Sequence, residues 1–259
     1  MADHSAPIGV FDSGLGGVSV LREALRLLPH EDYIYYGDNG NAPYGDRSES
    51  EITDLTLRCV HRLIDMGCKA ILVACNTATA NCIDIIRTEL NVPVVSVEPA
   101  IRPACLQPGN GKVLMMATLA TTRLERYLAL QKRMPDPGRI INIPCSGIVE
   151  RMEAGLLGDT DFDDLFDVYL APYENLETDA IVLGCTHFVF IPSAFKRAAR
   201  RHLSGLCVLY DGNEGTVQQL AKVLQDSGLQ NTSGNARVEF YTSGDLGQYH
   251  PLFSQLLTR

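Results

Sequence analysis

Two short apolar runs of this 259-residue chain each lead into a cysteine: Ala70-Ile71-Leu72-Val73-Ala74-Cys75-Asn76-Thr77-Ala78 and Ala180-Ile181-Val182-Leu183-Gly184-Cys185-Thr186-His187. A thiol is not locked into one charge state near neutral pH, so it can accept or return a proton. The competing reading of either cysteine is a buried structural thiol. At Cys75 a helix is expected to follow, and its N–H groups and dipole predict a thiol pKa below roughly 8.5. At Cys185, residues i and i+2 of an extended strand share a face, which predicts His187 beside the sulfur as a tuning or relay group. Asp12-Ser13-Gly14-Leu15-Gly16-Gly17 offers a carboxylate, a hydroxyl and backbone N–H groups between a strand and a helix, suited to the charged ends of an amino acid. A tight turn explains the same residues. A dinucleotide loop does not, because G-x-G-x-x-G needs glycine at position 19, which is Ser, and no Gly-Lys-Ser/Thr follows. Gly37-Asp38 and Pro43-Tyr44-Gly45-Asp46, taken alone, read as surface turns.

The elements that must position these residues alternate between β-branched runs and helical periodicity, which predicts an α/β fold with largely parallel sheets. Strands are expected at 8–11, 33–36, 70–74, 94–97, 112–117, 140–143, 180–184, 207–210 and 238–241. Helices are expected at 18–28, 51–66, 79–90, 122–133, 162–170 and 214–225. Val18, Leu21, Leu25 and Leu28 form an apolar stripe opposite Arg22, Glu23 and Arg26, as in a sheet-covering helix. A weak internal echo accompanies the alternation. The strand ending at Asp12 is followed 63 residues later by the one ending at Cys75, and the strand ending at Thr118 is followed 67 residues later by the one ending at Cys185. Two α/β halves, each presenting a cysteine at a strand's C-terminal end, are the simplest reading, and that end is where open α/β sheets bind ligands. The halves are expected at 1–97 plus 210–259 and at 98–209.

Bulk composition narrows the function. A formal charge of −9 disfavours nucleic acid or an anionic membrane surface as partner, since both reward clustered cations. No basic, apolar leader opens the chain, and runs such as ILVAC are far too short to span a bilayer. A cytoplasmic protein is expected. The eight cysteines include no C-x-x-C pair and no zinc-ligand cluster, so reduced thiols and no metal are expected. Removing the α-proton of an amino acid creates a carbanion that enzymes commonly delocalise into a lysine-held cofactor. The five lysines, at 69, 112, 132, 196 and 222, avoid the site-like strand ends. Inversion at such a carbon would therefore rest on protein groups alone, one acid and one base on opposite faces.

In order and approximate spacing, the motifs DSGLGG (12–17), YGD (36–38), PYG (43–45), ACNTA (74–78) and GCTH (184–187) resemble those of bacterial glutamate racemases, within the aspartate/glutamate racemase superfamily. The resemblance covers roughly residues 7–245. It implies two pseudo-symmetric three-layer α/β domains with the substrate in a cleft between them, no cofactor, and D-glutamate supply for peptidoglycan in the bacterial cytoplasm. By resemblance, Cys75 is the base that handles D-glutamate and Cys185 the one that handles L-glutamate. Asp12 assists Cys75, His187 assists Cys185, and Glu153 is a second acidic group of the site. Ser13, Pro43, Tyr44, Gly45, Asn76, Thr77, Thr118, Thr121 and Thr186 hold the substrate. The chain departs from the family pattern around these residues. The segment 117–121 keeps both threonines of a Gly-Thr-x-Gly-Thr stretch but has Ala for both glycines, and Phe188-Val189 replace Tyr-Pro after GCTH. Near the chain's end, Asp211-Gly212 stand for Asp-Ser. Glu150 competes with Glu153, which the following Ala-Gly favours. Alternatives are an aspartate or hydantoin-type racemase, a one-cysteine hydrolase or decarboxylase, and a non-catalytic protein binding an acidic amino acid. The sequence admits a homodimer without specifying one.

Overall fold

The computed structural model describes residues 3–158 and 160–259. In chain order its strands are β1 Ile8–Asp12, β2 Tyr33–Gly37, β3 Ala70–Val73, β4 Val94–Ser96, β5 Lys112–Ala117, β6 Ile140–Pro144, β7 Leu176–Leu183, β8 Leu203–Ser204, β9 Val208–Tyr210 and β10 Val238–Thr242. The helices are α1 Val18–Leu27, α2 Glu49–Asp65, α3 Asn76–Glu89, α4 Ile101–Cys105, α5 Leu119–Arg123, α6 Glu125–Lys132, α7 Ile148–Glu153, α8 Asp163–Leu170, α9 Pro192–His202, α10 Asn213–Asp226 and α11 Leu246–Thr258. The α/β class read from the alternation stands. The chain forms two compact units, one of residues up to Glu98 plus Asn213–Arg259, the other Pro99–Gly212.

The first unit is a five-stranded parallel sheet in the order β10-β2-β1-β3-β4. β1 and β3 are buried along their whole length, as parallel strands covered on both faces must be. Helix α1 packs with α10 and α11, and α2 packs with α3. Helix α2 buries Ile52, Leu55, Cys59, Val60 and Leu63 at helical spacing against Phe11, Ile34, Ile71 and Val73. A capping box starts it, with Ser48 Oγ accepting from the Glu51 N–H and Glu51 accepting from the Ser48 N–H. Gly67 ends it at φ +84°, where Cys68 N–H donates to Leu63 O and Gly67 N–H to Ile64 O. The chain crosses from β1 to β2 on one side and then returns to place β3 on the other side of β1. The C-terminal ends of β1 and β3 therefore flank the point where the winding reverses, the position at which open α/β sheets leave a crevice.

The second unit repeats this winding. Its parallel strands run β6-β5-β7, with β8 and β9 both paired to the far edge of β7. From β5 the chain visits β6 first and then β7 on the opposite side, so the ends of β5 and β7 flank the equivalent reversal. Two sequence readings change here. The single helix expected at 122–133 breaks into α5 and α6 at Leu124, whose backbone is extended and whose side chain is buried. Periodicity also passes over α4, α7, α9 and α11; α9 opens on Pro192 at its first position, and Asp245 caps α11 by accepting from the Gln248 N–H at 2.8 Å.

Phe188, Phe195 and Phe166 pack in the core between the turn after β7 and helices α8 and α9, Phe195 meeting Phe166 edge to face and Phe188 at a tilt. Ring centroids lie 5.5 Å apart for Phe188–Phe195 and 4.7 Å for Phe166–Phe195. All three rings are buried. The apolar Phe188 next to His187 thus anchors the turn that carries the histidine. Phe195→Ala should cost about 3–5 kcal/mol of stability, read as a lower urea midpoint at unchanged m-value. A loss below about 1 kcal/mol would show that this core does not hold the turn.

Candidate active site

In the first unit Asp12 is the last residue of β1 and fully buried, with Oδ1 accepting from the Gly14 N–H at 2.8 Å. The loop it starts is held from behind, because Tyr35 donates its hydroxyl to Gly14 O at 2.8 Å. Gly17 is required by space: a Cβ there would sit 2.6 Å from Asp12 Cβ and 2.9 Å from Ala74 Cβ. One strand over, β3 ends at Val73 and Cys75 becomes the N-cap of α3. Its Sγ accepts from the Ala78 N–H at 3.4 Å and lies 3.3 Å from Ser13 Oγ. The helix therefore begins at Asn76, three residues before the start expected from periodicity, and Asn76 and Thr77 are buried in its first turn. The loop read as a surface turn is not one. Tyr44 is buried and donates to Asp38 Oδ2 at 2.6 Å, Asn41 donates to Asp38 Oδ1 at 2.9 Å, and the Asp38 N–H donates to Asp12 O at 3.0 Å. Pro43, after a cis peptide, and Gly45 flank Tyr44 and are half-buried.

The pKa expected for Cys75 is corrected. Burial and the neighbouring Asp12 carboxylate push the thiol up to about 12, outweighing the lowering by Ser13 and the Ala78 N–H. Helix N–H groups act on the sulfur as anticipated, but desolvation disfavours the charged form more strongly. In the free protein the thiolate absorbance that distinguishes the wild type from Cys75→Ser should be absent at neutral pH and emerge only far above the ordinary cysteine range of roughly 8.5. Asp12→Asn should move that titration downward. A wild-type midpoint near 8.5 would overturn the assignment.

In the second unit Gly184 follows β7 and donates its N–H to Met116 O at 2.8 Å. A Cβ at Gly184 would lie 2.3 Å from Met115 Cε and 2.9 Å from Ala117 Cβ, so only glycine lets the strand end approach β5 this closely. Cys185 follows, buried, with extended backbone. The strand does not continue to His187 as expected. Thr186–Phe190 form a 3-10 turn, and it is this turn that brings His187 Nδ1 to 3.7 Å from Cys185 Sγ. On the ring's other side Glu153 Oε1 lies 2.7 Å from Nε2. Both partners are nearly buried. Glu150 is exposed instead, and its carboxylate accepts from the Gly147 N–H at 2.9 Å, so of the two acids it is Glu153 that lies against His187. Burial works against a charged imidazole, yet the bonds with Cys185 and Glu153 prevail and raise the His187 pKa well above its ordinary value. A cationic His187 donates from both nitrogens, one N–H to the Glu153 carboxylate and one toward the Cys185 sulfur. Thr118 caps α5, and its Oγ1 lies 3.0 Å from that of Thr121. Thr186 is buried beside Cys185.

Each unit thus gathers its own sequence-predicted residues at its own winding reversal. Asp12, Ser13, Cys75, Asn76 and Thr77, with the Tyr44 loop, assemble in the first; Thr118, Thr121, Glu153, Cys185, Thr186 and His187 belong to the second. Three contributors carry no assigned role in the sequence reading. Tyr35 supports the Asp12 loop, Asp38 ties Tyr44 to it, and the buried Cys145, bonded through its N–H to Ala117 O, has its thiol raised by burial and by the neighbouring Cys185. Asp38 was visible within the YGD motif; Tyr35 and Cys145 carry no local signal. No group of three or more His, Cys, Asp or Glu among the described residues could hold a metal ion, and no described helix is long and apolar enough to cross a membrane.

Comparison with known proteins meets this geometry. Residues 8–220 match the profile of the Asp/Glu/Hydantoin racemase family. The chain is 40% identical over 230 residues to the glutamate racemase of Clostridium perfringens, covering 88% of this chain and 87% of that one. It is 41% identical over 229 residues to the glutamate racemase of Bifidobacterium animalis subsp. lactis, covering 86% of each. The crystal structure of glutamate racemase from Francisella tularensis in complex with D-glutamate superposes with a TM-score of 0.84 at 28% identity, over 99% of this chain and 95% of that one.

Proposed function

Since the chain belongs to the Asp/Glu/Hydantoin racemase family, we propose that it interconverts L- and D-glutamate without a cofactor, by a two-base mechanism in which Cys75 and Cys185 exchange the α-proton. The observation that carries this reading is that each unit presents a buried thiol at the same reversal of its sheet winding, each with its own carboxylate-bearing support. An inversion needs a base and an acid of comparable strength that trade roles with substrate handedness. Two thiols meet that symmetry.

The two supports differ in the charge they set beside each sulfur. Cys75 sits beside the negative Asp12 and keeps its proton; Cys185 sits beside a cationic His187 backed by Glu153. In the direction from L- to D-glutamate, Cys185 takes the α-proton on one face and Cys75 returns one on the other. Burial holds the Cys75 proton most strongly and the Asp12 charge adds to it; an α-ammonium set against Asp12 would cancel that second contribution and ease proton release as the substrate binds. Ser13, Asn76, Thr77, Thr118, Thr121 and Thr186 supply hydroxyls and N–H groups for the two carboxylates, with Pro43, Tyr44 and Gly45 shaping the loop beside them. The product serves peptidoglycan synthesis in the cytoplasm. A homodimer is compatible with this reading.

Glutamate itself, rather than aspartate or a hydantoin, is supported by relatives near 40% identity across most of the chain. The test is deuterium incorporation at Cα from heavy water, run on each glutamate enantiomer and on a panel of other L-amino acids. Incorporation with inversion for glutamate alone is expected. Absence of any exchange would leave a binding protein, and faster exchange of aspartate would reassign the substrate.

A further inference from the structure

Helix α9 carries two basic stripes with different fates. Arg197 and Arg201 face α8 and pair with Asp163 at 2.8 and 3.5 Å, and Arg201 also pairs with Asp167 at 2.7 Å. Lys196 and Arg200, one turn apart on the adjoining face, are exposed and have no ion-pair partner among the described residues. They border a depression of about 540 Å³ whose other walls include Leu203, Leu206, Val208 and Leu209, and none of its lining residues is acidic. Two free cations over an apolar floor are unusual on a chain of net charge −9.

The floor is the open edge of the second sheet. β8 and β9 both pair with β7, and β9 pairs with no other strand among the described residues. Between them the chain bulges. Gly205 adopts φ +91° where a Cβ would meet Thr178 O at 2.6 Å, and Cys207, at φ +48°, donates its N–H to Thr178 O at 3.0 Å. The bulge turns Leu206 outward, 69% exposed, next to the exposed Val208.

We propose that this edge binds an acidic, extended segment of a partner protein, which adds as a strand beside β9 and sets alternate carboxylates against Lys196 and Arg200. The spacing fits: four residues of helix rise about 6 Å, and alternate residues of a strand lie about 6.6 Å apart on one face. Strand addition would pair the free backbone edge while covering Leu206 and Val208. A small inorganic anion would satisfy the cations and leave the apolar residues and the edge open. A second copy, paired edge to edge about a two-fold axis, would gather four cations with no acid among the lining residues.

The test uses the full chain and a fluorescently labelled, end-blocked seven-residue peptide of alternating valine and glutamate, read by anisotropy. Saturable binding is expected, weakened at least about tenfold by Lys196→Glu with Arg200→Glu while glutamate racemisation stays at the wild-type rate, and weakened comparably when glutamine replaces glutamate in the peptide. Backbone N-methylation of the peptide should abolish binding without altering its charge. No binding, or equal binding of the N-methylated peptide, overturns the proposal. So does full displacement by inorganic phosphate with no effect of Leu206→Ser, which would mark a simple anion site. A concentration-dependent dimer of the chain alone that Leu206→Asp abolishes would assign the edge to a second copy and overturn it as well.

Discussion

Replacing either Cys75 or Cys185 by serine should lower kcat/KM for glutamate racemisation by about 10³-fold, and by the same factor in both directions. The equality is required by thermodynamics. The enantiomers have equal free energies, so the two kcat/KM values must match in any variant, and a claim of one-directional loss in that ratio would be an error. The asymmetry of the two sulfurs shows instead in isotope exchange. With Cys75→Ser, the remaining Cys185 should still exchange the α-proton of L-glutamate with solvent, but with retention. With Cys185→Ser, the remaining Cys75 should do the same for D-glutamate. Cys75→Ser racemising at the wild-type rate would end the two-base model. Retention-type exchange of the same enantiomer by both variants would sink the assignment of one face to each sulfur.

The second large effect concerns Glu153, 34 residues from His187 in sequence and 2.7 Å from it in space. Glu153→Gln keeps the shape and removes the charge. Burial then acts on the imidazole with less opposition, and the His187 pKa falls from its raised value. Because the raised pKa keeps the ring cationic as pH increases, the variant should lose the cation, and with it activity, at lower pH than the wild type. The expected result is a drop of about 10²-fold in kcat/KM at neutral pH, partly recovered on acidification, with the alkaline limb of the pH profile displaced downward. A merely structural Glu153 would scale the whole profile without moving that limb. An unmoved limb together with a uniform loss would remove Glu153 from the proton-transfer machinery and leave it as packing. Glu150→Gln, at the exposed helix cap, is the control and should leave the profile unchanged.

Much of this protein was legible one residue at a time. Apolar, β-branched runs bounded by turns marked nine of the ten strands among the described residues, and the runs are continuous where a strand such as β1 or β3 is buried on both faces. Cys75, Cys185, Asp12 and His187 could be singled out because strand ends and helix starts are local features. The short β8, α4 and α7 escaped because they span too few residues to show a period, whereas α9, with Ala194, Phe195, Ala198 and Ala199 opposite four cations, and α11 were legible and passed over.

What the tertiary structure alone decided is how those residues act on one another. Strand order is set by crossovers of dozens of residues, so no window of sequence shows that Asp12 and Cys75, or Thr118 and Cys185, end on adjacent strands at a reversal of winding. The state of Cys75 depended on a balance between a helix terminus, visible in the sequence, and desolvation next to Asp12, which exists only once the core has closed; burial won, and the expected direction of its pKa reversed. His187 reached Cys185 through a 3-10 turn rather than along a strand, and Glu153 reached His187 from a separate helix. The sequence by itself singled out two sulfurs, Cys75 and Cys185, from eight. Only the packed chain, by setting dielectric and charge around each, determined that one waits with its proton and the other faces a cation.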